Sequence, residues 1–252
     1  MTATAVACPP PSVAGSVREL VETTPLGKVE LARFVAASCQ DGCRAALESG
    51  GEAFVVPMKL GESIPGWGDP RDSAEELVAA ALLDEEDVDI LAPVTVGEGW
   101  VDDLFELVVN RSDEASVAVL SPVSPLVQRR HVDAAAMRLR SSEITVCPST
   151  GGQWYFLGVT RSLDRTDSPD WRNLSTIAES MQKPQSSLAS LPFLPGYRTA
   201  EELATILSML ELRTVSAESG SPFTSRWASN TAIASTTKGD TVQLERREAD
   251  QY

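Results

Sequence analysis

Residues 117–139, VAVLSPVSPLVQRRHVDAAAMRL, change their apolar spacing partway along, and that change limits what the chain can fold into. Residues 117–120 form a continuous apolar run of strand type. Pro122 and Pro125 exclude a helix interior between them. Val132, Ala135, Ala136 and Leu139 then repeat at helical spacing. A strand that stops, loops and becomes a helix is the building unit of a parallel sheet, because parallel neighbours need a crossover. In such sheets ligands sit beyond the carboxyl ends of the strands.

The same alternation runs through the rest of the chain. TATAVAC (2–8) reads as a first strand, and residues 25–50 as a long amphipathic helix with Leu31, Phe34, Val35, Cys39 and Leu47 on its apolar face. Strand-like runs follow at 52–58, 88–94 and 143–148. Helical patterns lie at 73–83, where Ser73 and Glu76 form a candidate capping box, at 101–112, and at 199–213 with Thr199 as N-cap. Residues 149–160 read as a loop leading into an aromatic-rich strand. The expected fold class is α/β, a three-layer sandwich with a mostly parallel central sheet and helices on both faces. Residues 1–213 make up this domain. Residues 214–252, rich in Ser and Thr, form a C-terminal extension that either adds an edge strand through DTVQLERR or stays partly disordered.

Charge and composition narrow the function classes. The 252 residues carry a net charge of −15, and residues 62–114 alone hold sixteen Asp or Glu against two Arg. Two readings of this acidity stand: a surface suited to a salty cytoplasm, or an ordinary acidic surface. Either one disfavours nucleic acid, which wants a basic stripe. No apolar run approaches a membrane span, and the N-terminus lacks the basic start of a signal peptide, so a cytoplasmic protein without a membrane partner is expected. Cys8, Cys39, Cys43 and Cys147 lack zinc-ligand spacing and read as reduced structural thiols. His131, the only histidine, has no GxSxG serine to serve as base, and no Walker A or GxGxxG loop exists. Asp102 and Asp103 fall among solvated acids. GGQWYFLG (151–158) is different. Gly151 and Gly152 allow a ligand close to the backbone, and Trp154 and Tyr155 either stack on it or fill the core of a bulged strand.

Three ordered stretches, LSPVSPLVQRRHVDAAAMRL, ITVCPSTGGQWYFLGV and FLPGYRTAEELATIL, together resemble the DUF2064 family of glycosyltransferase-A-like nucleotide-diphospho-sugar transferases. The resemblance covers roughly residues 2–213 and extends to the front loop PPPSVAGSVREL. There Gly15 matches the family glycine, and Arg18 stands near the family lysine. Ser124, Pro125, Gly152, Tyr155 and Gly158 match as well. The departures are systematic. Val123, Leu126, Gly151, Gly196 and Arg198 stand where the family pattern has aspartates.

The resemblance implies a glycosyltransferase-A-like fold and a sugar nucleotide as partner. Transferases of this type usually hold Mg²⁺ or Mn²⁺ on carboxylates that bridge phosphate oxygens. The missing aspartates imply that this metal site is lost, so no metal and no other cofactor is expected. Cations would take the metal's place. The phosphate-binding candidates are Gly15, Arg18, Ser124, Arg129 and Arg130; the substrate-binding candidates are Gly151, Gly152, Trp154, Tyr155 and Arg198. Three functions stay open: a metal-independent or inactive transferase, a non-catalytic binding or assembly module that could act as a homodimer, and a nucleotidyltransferase.

Overall fold

The computed structural model describes residues 1–9, 15–59, 79, 88–163, 170–180, 187–215, 221–238 and 241–246. The helix expected at 73–83, residue 79 apart, and the first half of the acidic stretch lie outside these residues. Strand β1 (Thr2–Cys8) is buried along its whole length, as a run without charges requires. It pairs in parallel with β2 (Ala53–Lys59) on one side and with β5 (Ser116–Leu120) on the other. Two short strands, β3 (Val88–Ile90) and β4 (Val94–Thr95), also run parallel to β2. The single strand expected at 88–94 is therefore split in two, with Pro93, which has no N–H to give a ladder, between them. Beyond β5, strand β7 (Trp154–Thr160) runs antiparallel to β5 and to β6 (Ile144–Pro148), and β8 (Leu188–Ser190) lies parallel to β6. The resulting order is β3-β2-β1-β5-β7-β6-β8. The mostly parallel sheet expected from the alternation is present.

Period-two alternation divides the core into two layers. Val6 and Cys8 of β1 join one hydrophobic cluster, and Ala3, Ala5 and Ala7 join the other. The first layer is completed by α1 (Gly15–Thr23), α2 (Lys28–Glu48), α4 (Arg129–Arg138), α6 (Ala200–Val215) and α7 (Pro222–Thr231). Helices α3 (Trp100–Arg111) and α5 (Leu174–Ser180) cover the opposite face. Helix α2 buries Leu31, Phe34, Val35, Cys39 and Cys43 on one stripe. At Gly42 a Cβ would come within 3.1 Å of Leu120 Cδ2, so glycine lets the helix sit close on β5. Thr199 caps α6 as its spacing predicts. Its Oγ1 accepts the Glu202 N–H at 3.2 Å, and Glu202 Oε2 accepts the Thr199 N–H at 3.3 Å. All four cysteines are buried and none forms a disulfide.

The C-terminal segment takes a form that its sequence did not suggest. After α7 comes a separate antiparallel pair, β9 (Ile233–Lys238) with β10 (Thr241–Arg246), packed on α6. The strand expected through DTVQLERR thus pairs with β9 and adds nothing to the edge of the central sheet. Phe223, Trp227, Ile233 and Leu244 enter the same cluster as Phe34 and Val6, which gives the hairpin an apolar surface to cover. One buried carboxylate fixes the junction. Asp41 of α2 accepts the backbone N–H of Phe223 at 3.1 Å and of Thr224 at 2.9 Å, and the Thr224 hydroxyl at 2.6 Å. A residue from another helix thereby caps the start of α7.

Burial raises the Asp41 carboxyl to about 6, against the pull of those hydrogen bonds and of Arg44. The folded state then holds a proton between about pH 4 and 6 that the unfolded chain has released. Stability from this group therefore falls as pH rises through that window and is level above it. Asp41→Asn should lower stability by about 1–3 kcal/mol, because its amide NH₂ would face an N–H donor. Thermal melts from pH 4 to 7 should also show a flatter pH dependence for the variant than for the native chain.

Candidate functional site

β1 marks the point where the strand order reverses: the chain goes from β1 to β2 on one side and later returns to β5 on the other. In an open α/β sheet the crevice beyond the carboxyl ends of such strands is the default ligand site. Three segments meet at this end of the sheet: residues 121–128 after β5, 149–153 between β6 and β7, and 194–198 before α6. Their contacts are almost all between backbone and hydroxyl. Ser149 Oγ donates to Leu194 O at 2.9 Å, and the Gly196 N–H donates to Thr150 Oγ1 at 2.9 Å. A Cβ on Gly196 would stand 2.7 Å from Thr150 Oγ1 and 3.2 Å from Val123 O, so the three segments close only on glycine.

Gly151 sits in a turn of 3₁₀ helix, Thr150–Gly152, with φ of +66°. That left-handed conformation suits glycine and strains other residues. Arg198 lies over it and donates from Nη1 to Gly151 O at 3.3 Å. Arg198 is exposed, and among the described residues it forms no salt bridge with a carboxylate. Val123, Gly151, Gly196 and Arg198, four of the positions where the resembling family has aspartates, are thus gathered in one place. Leu126, the fifth, is fully buried in the core. A divalent cation does not fit this set, because none of these side chains offers a carboxylate oxygen and the one charge among them is positive.

The other candidates lie in several places. Gly15 opens α1, and Arg18 falls in its first turn, directly after the segment that leaves β1. Ser124 is buried, and its Oγ has no hydrogen-bond partner among the described residues. Arg129 and Arg130 open α4 and line a cavity on the helix side that has no residue in common with the Gly151–Arg198 group. Gly152 packs near Asn173. Trp154 and Tyr155 are core residues, which corrects their reading as a stacking platform. Trp154 Nε1 donates to Trp171 O at 2.5 Å, and the Tyr155 hydroxyl donates to Pro192 O at 3.1 Å. Both rings are buried, one in each layer, beside a register shift at Cys147/Pro148. His131 also has a structural role. Its Nδ1 accepts the Gln128 N–H at 3.0 Å, and burial with Arg130 and Arg213 nearby lowers it to about 4, so it stays neutral.

Spacing rules missed the groups that hold the loop after β5. Ser38 Oγ donates to Pro122 O at 2.8 Å, Ser221 Oγ to Pro125 O at 2.5 Å, and Arg213 to Leu126 O at 3.4 and 3.5 Å. A signal was present in the apolar stripe of α6, Leu203-Leu207-Leu210, which is continued by Arg213 rather than a hydrophobe.

No family model and no characterised sequence relative matches the chain. Solved structures do. A protein from Desulfovibrio desulfuricans G20, assigned as a nucleotide-diphospho-sugar transferase, superposes with a TM-score of 0.70 at 14% identity over 91% of this chain and 94% of its own. The fold is that of the nucleotide-diphospho-sugar transferases. A cytidylyltransferase from Leptospira borgpetersenii serovar Hardjo-bovis aligns at TM-score 0.52 and 10% identity, over 91% of this chain and 94% of its own. The inositol-1-phosphate CTP transferase from T. maritima aligns at 0.51 and 10%, over 86% and 96%. Among the described residues no group of three or more His, Cys, Asp or Glu is placed to hold a metal ion, and no helix is long and apolar enough to cross a membrane.

Gly151→Ala should cost about 1–2 kcal/mol from the left-handed backbone alone, with displacement of Arg198 in addition. In an Arg198→Ala background the penalty should shrink to the backbone part. Denaturant unfolding of the two singles and the double variant measures the difference.

Proposed function

We propose that this chain is a sugar-nucleotide-binding protein of the nucleotide-diphospho-sugar transferase type, a divergent relative of the DUF2064 family whose transferase activity is metal-independent or lost. The observation that carries this reading is Arg198, placed over the Gly151 carbonyl at the position of a family aspartate. Transfer of a sugar from a nucleoside diphosphate leaves negative charge on the departing diphosphate. A planar guanidinium can take that charge on two parallel N–H donors without a metal. Arg18 belongs to the first turn of the helix that follows β1, and the orphaned Ser124 hydroxyl supplies a further polar atom in the loop after β5. The buried aromatics leave recognition of the base and sugar to the segments around 121–128 and 149–153. The two cytidylyl and CTP transferase neighbours support a second reading, nucleotidyl transfer, which would use the same crevice.

A panel of UDP- and GDP-sugars in EDTA tests the proposal. A ligand at one hundred times its Kd adds about 2.7 kcal/mol, which for a chain of this size raises Tm by about 5–10 °C. Arg198→Gln should weaken binding about tenfold and take back roughly half of that rise. A flat Tm across every sugar nucleotide would contradict the proposal. Turnover of a sugar-1-phosphate with a nucleoside triphosphate would favour the second reading.

A further inference from the structure

Helix α7 begins with a serine that does not cap it. An N-cap serine ordinarily accepts an N–H from the first turn of its own helix. Ser221 makes no such bond, and Asp41 of α2 takes the N–H groups of Phe223 and Thr224 instead. The Ser221 backbone is left-handed, with φ of +52° and ψ of +50°, a conformation that strains a residue carrying a Cβ. Its side chain is buried, and the hydroxyl donates out of the helix to Pro125 O at 2.5 Å. The C-terminal segment is thereby joined to the loop after β5.

That loop is held by serines on both sides of its middle. Ser38 of α2 takes Pro122 O at 2.8 Å, and Ser221 takes Pro125 O. Between them lie Ser124 and Val123, whose carbonyl comes close to Gly196. Helix α7 is itself fixed on α2. Trp227 Nε1 donates to Glu30 O at 2.8 Å, and Phe34 contacts the rings of both Trp227 and Tyr197. Tyr197 belongs to another crevice segment, so α7 supports two of the three. Backbone strain persists only where the surroundings over-determine it, and it gathers at functional sites.

We propose that Ser221 is a positioning residue for the sheet-end crevice: its hydroxyl lets the C-terminal segment hold the loop after β5 in the shape that takes the sugar nucleotide. The ligand named here rests on the function proposed above. Binding in the crevice and the seating of α7 are then coupled through the Pro125 carbonyl, and each tightens the other.

Two variants of the full chain separate this role from a merely structural one. Ser221→Ala and Ser221→Gly both delete the hydroxyl, but only glycine relieves the left-handed strain, so the glycine variant should melt higher. Without ligand, hydrogen exchange in residues 123–128 should speed up about fivefold in both, as expected for one lost hydrogen bond. Titration calorimetry with UDP-glucose and GDP-mannose in EDTA should show both variants binding about fivefold more weakly than the native chain. The loss should be equal in the two despite their different Tm. The sugar nucleotide should also slow exchange in residues 222–228 of the native chain and not of the variants. Native exchange in 123–128 in both variants, or an affinity that follows Tm rather than the hydroxyl, overturns the proposal. If the native chain binds neither sugar nucleotide, the crevice reading fails; the ligand-free exchange still decides whether Ser221 holds the loop.

Discussion

The placement of β1 between β2 and β5, parallel to both, is the constraint on which the rest depends. A strand buried on both faces and both edges must be short, uncharged and satisfied by its neighbours' ladders, and TATAVAC meets each condition. The crossovers on its two sides reverse the strand order there, and the loop at the carboxyl end of β5 is left beside the crevice position. Helix α2 lies close on this centre through Gly42, and Phe34 ties it to Tyr197 and Trp227 with ring centroids 4.8 and 4.7 Å apart. The same aromatic contact therefore supports the crevice segment at 197 and the C-terminal helix.

Within that frame the crevice segments are joined by hydroxyls, carbonyls and glycines, in place of charged pairs. Ser149, Thr150 and Gly196 set the approach of two segments, and Ser38, Ser221 and Arg213 hold the third. Where the resembling family has aspartates, this chain offers apolar side chains, bare backbone and one guanidinium. That inverts the local charge. It is this guanidinium that the proposed binding of an anionic diphosphate relies on.

The parts of this arrangement that were legible in the sequence are those set by local periodicity. Strand β1 has the expected bounds, α2 follows its apolar stripe, and Thr199 caps α6 by the three-residue spacing to Glu202. The convergence of residues 123, 151, 196 and 198 was implied by the ordered stretches of the resemblance, although no spacing rule brings 151 next to 198. What stayed hidden depends on tertiary partners. Asp41 looks like any polar residue on a long helix until the start of α7 arrives 182 positions later. The hairpin of β9 and β10 covers α6, a choice that a Ser/Thr-rich segment does not reveal. Trp154 and Tyr155 were equally compatible with core and ligand, and the neighbours Trp171 and Pro192 decided for the core.

The central proposal is that the crevice takes a diphosphate on protein cations alone. Titration calorimetry with a sugar nucleotide that the chain binds, once in EDTA and once in saturating Mn²⁺, tests this most directly. Measurable binding in EDTA is expected, with Kd values that agree within about threefold. A gain of tenfold or more on adding Mn²⁺, worth about 1.4 kcal/mol, would contradict it.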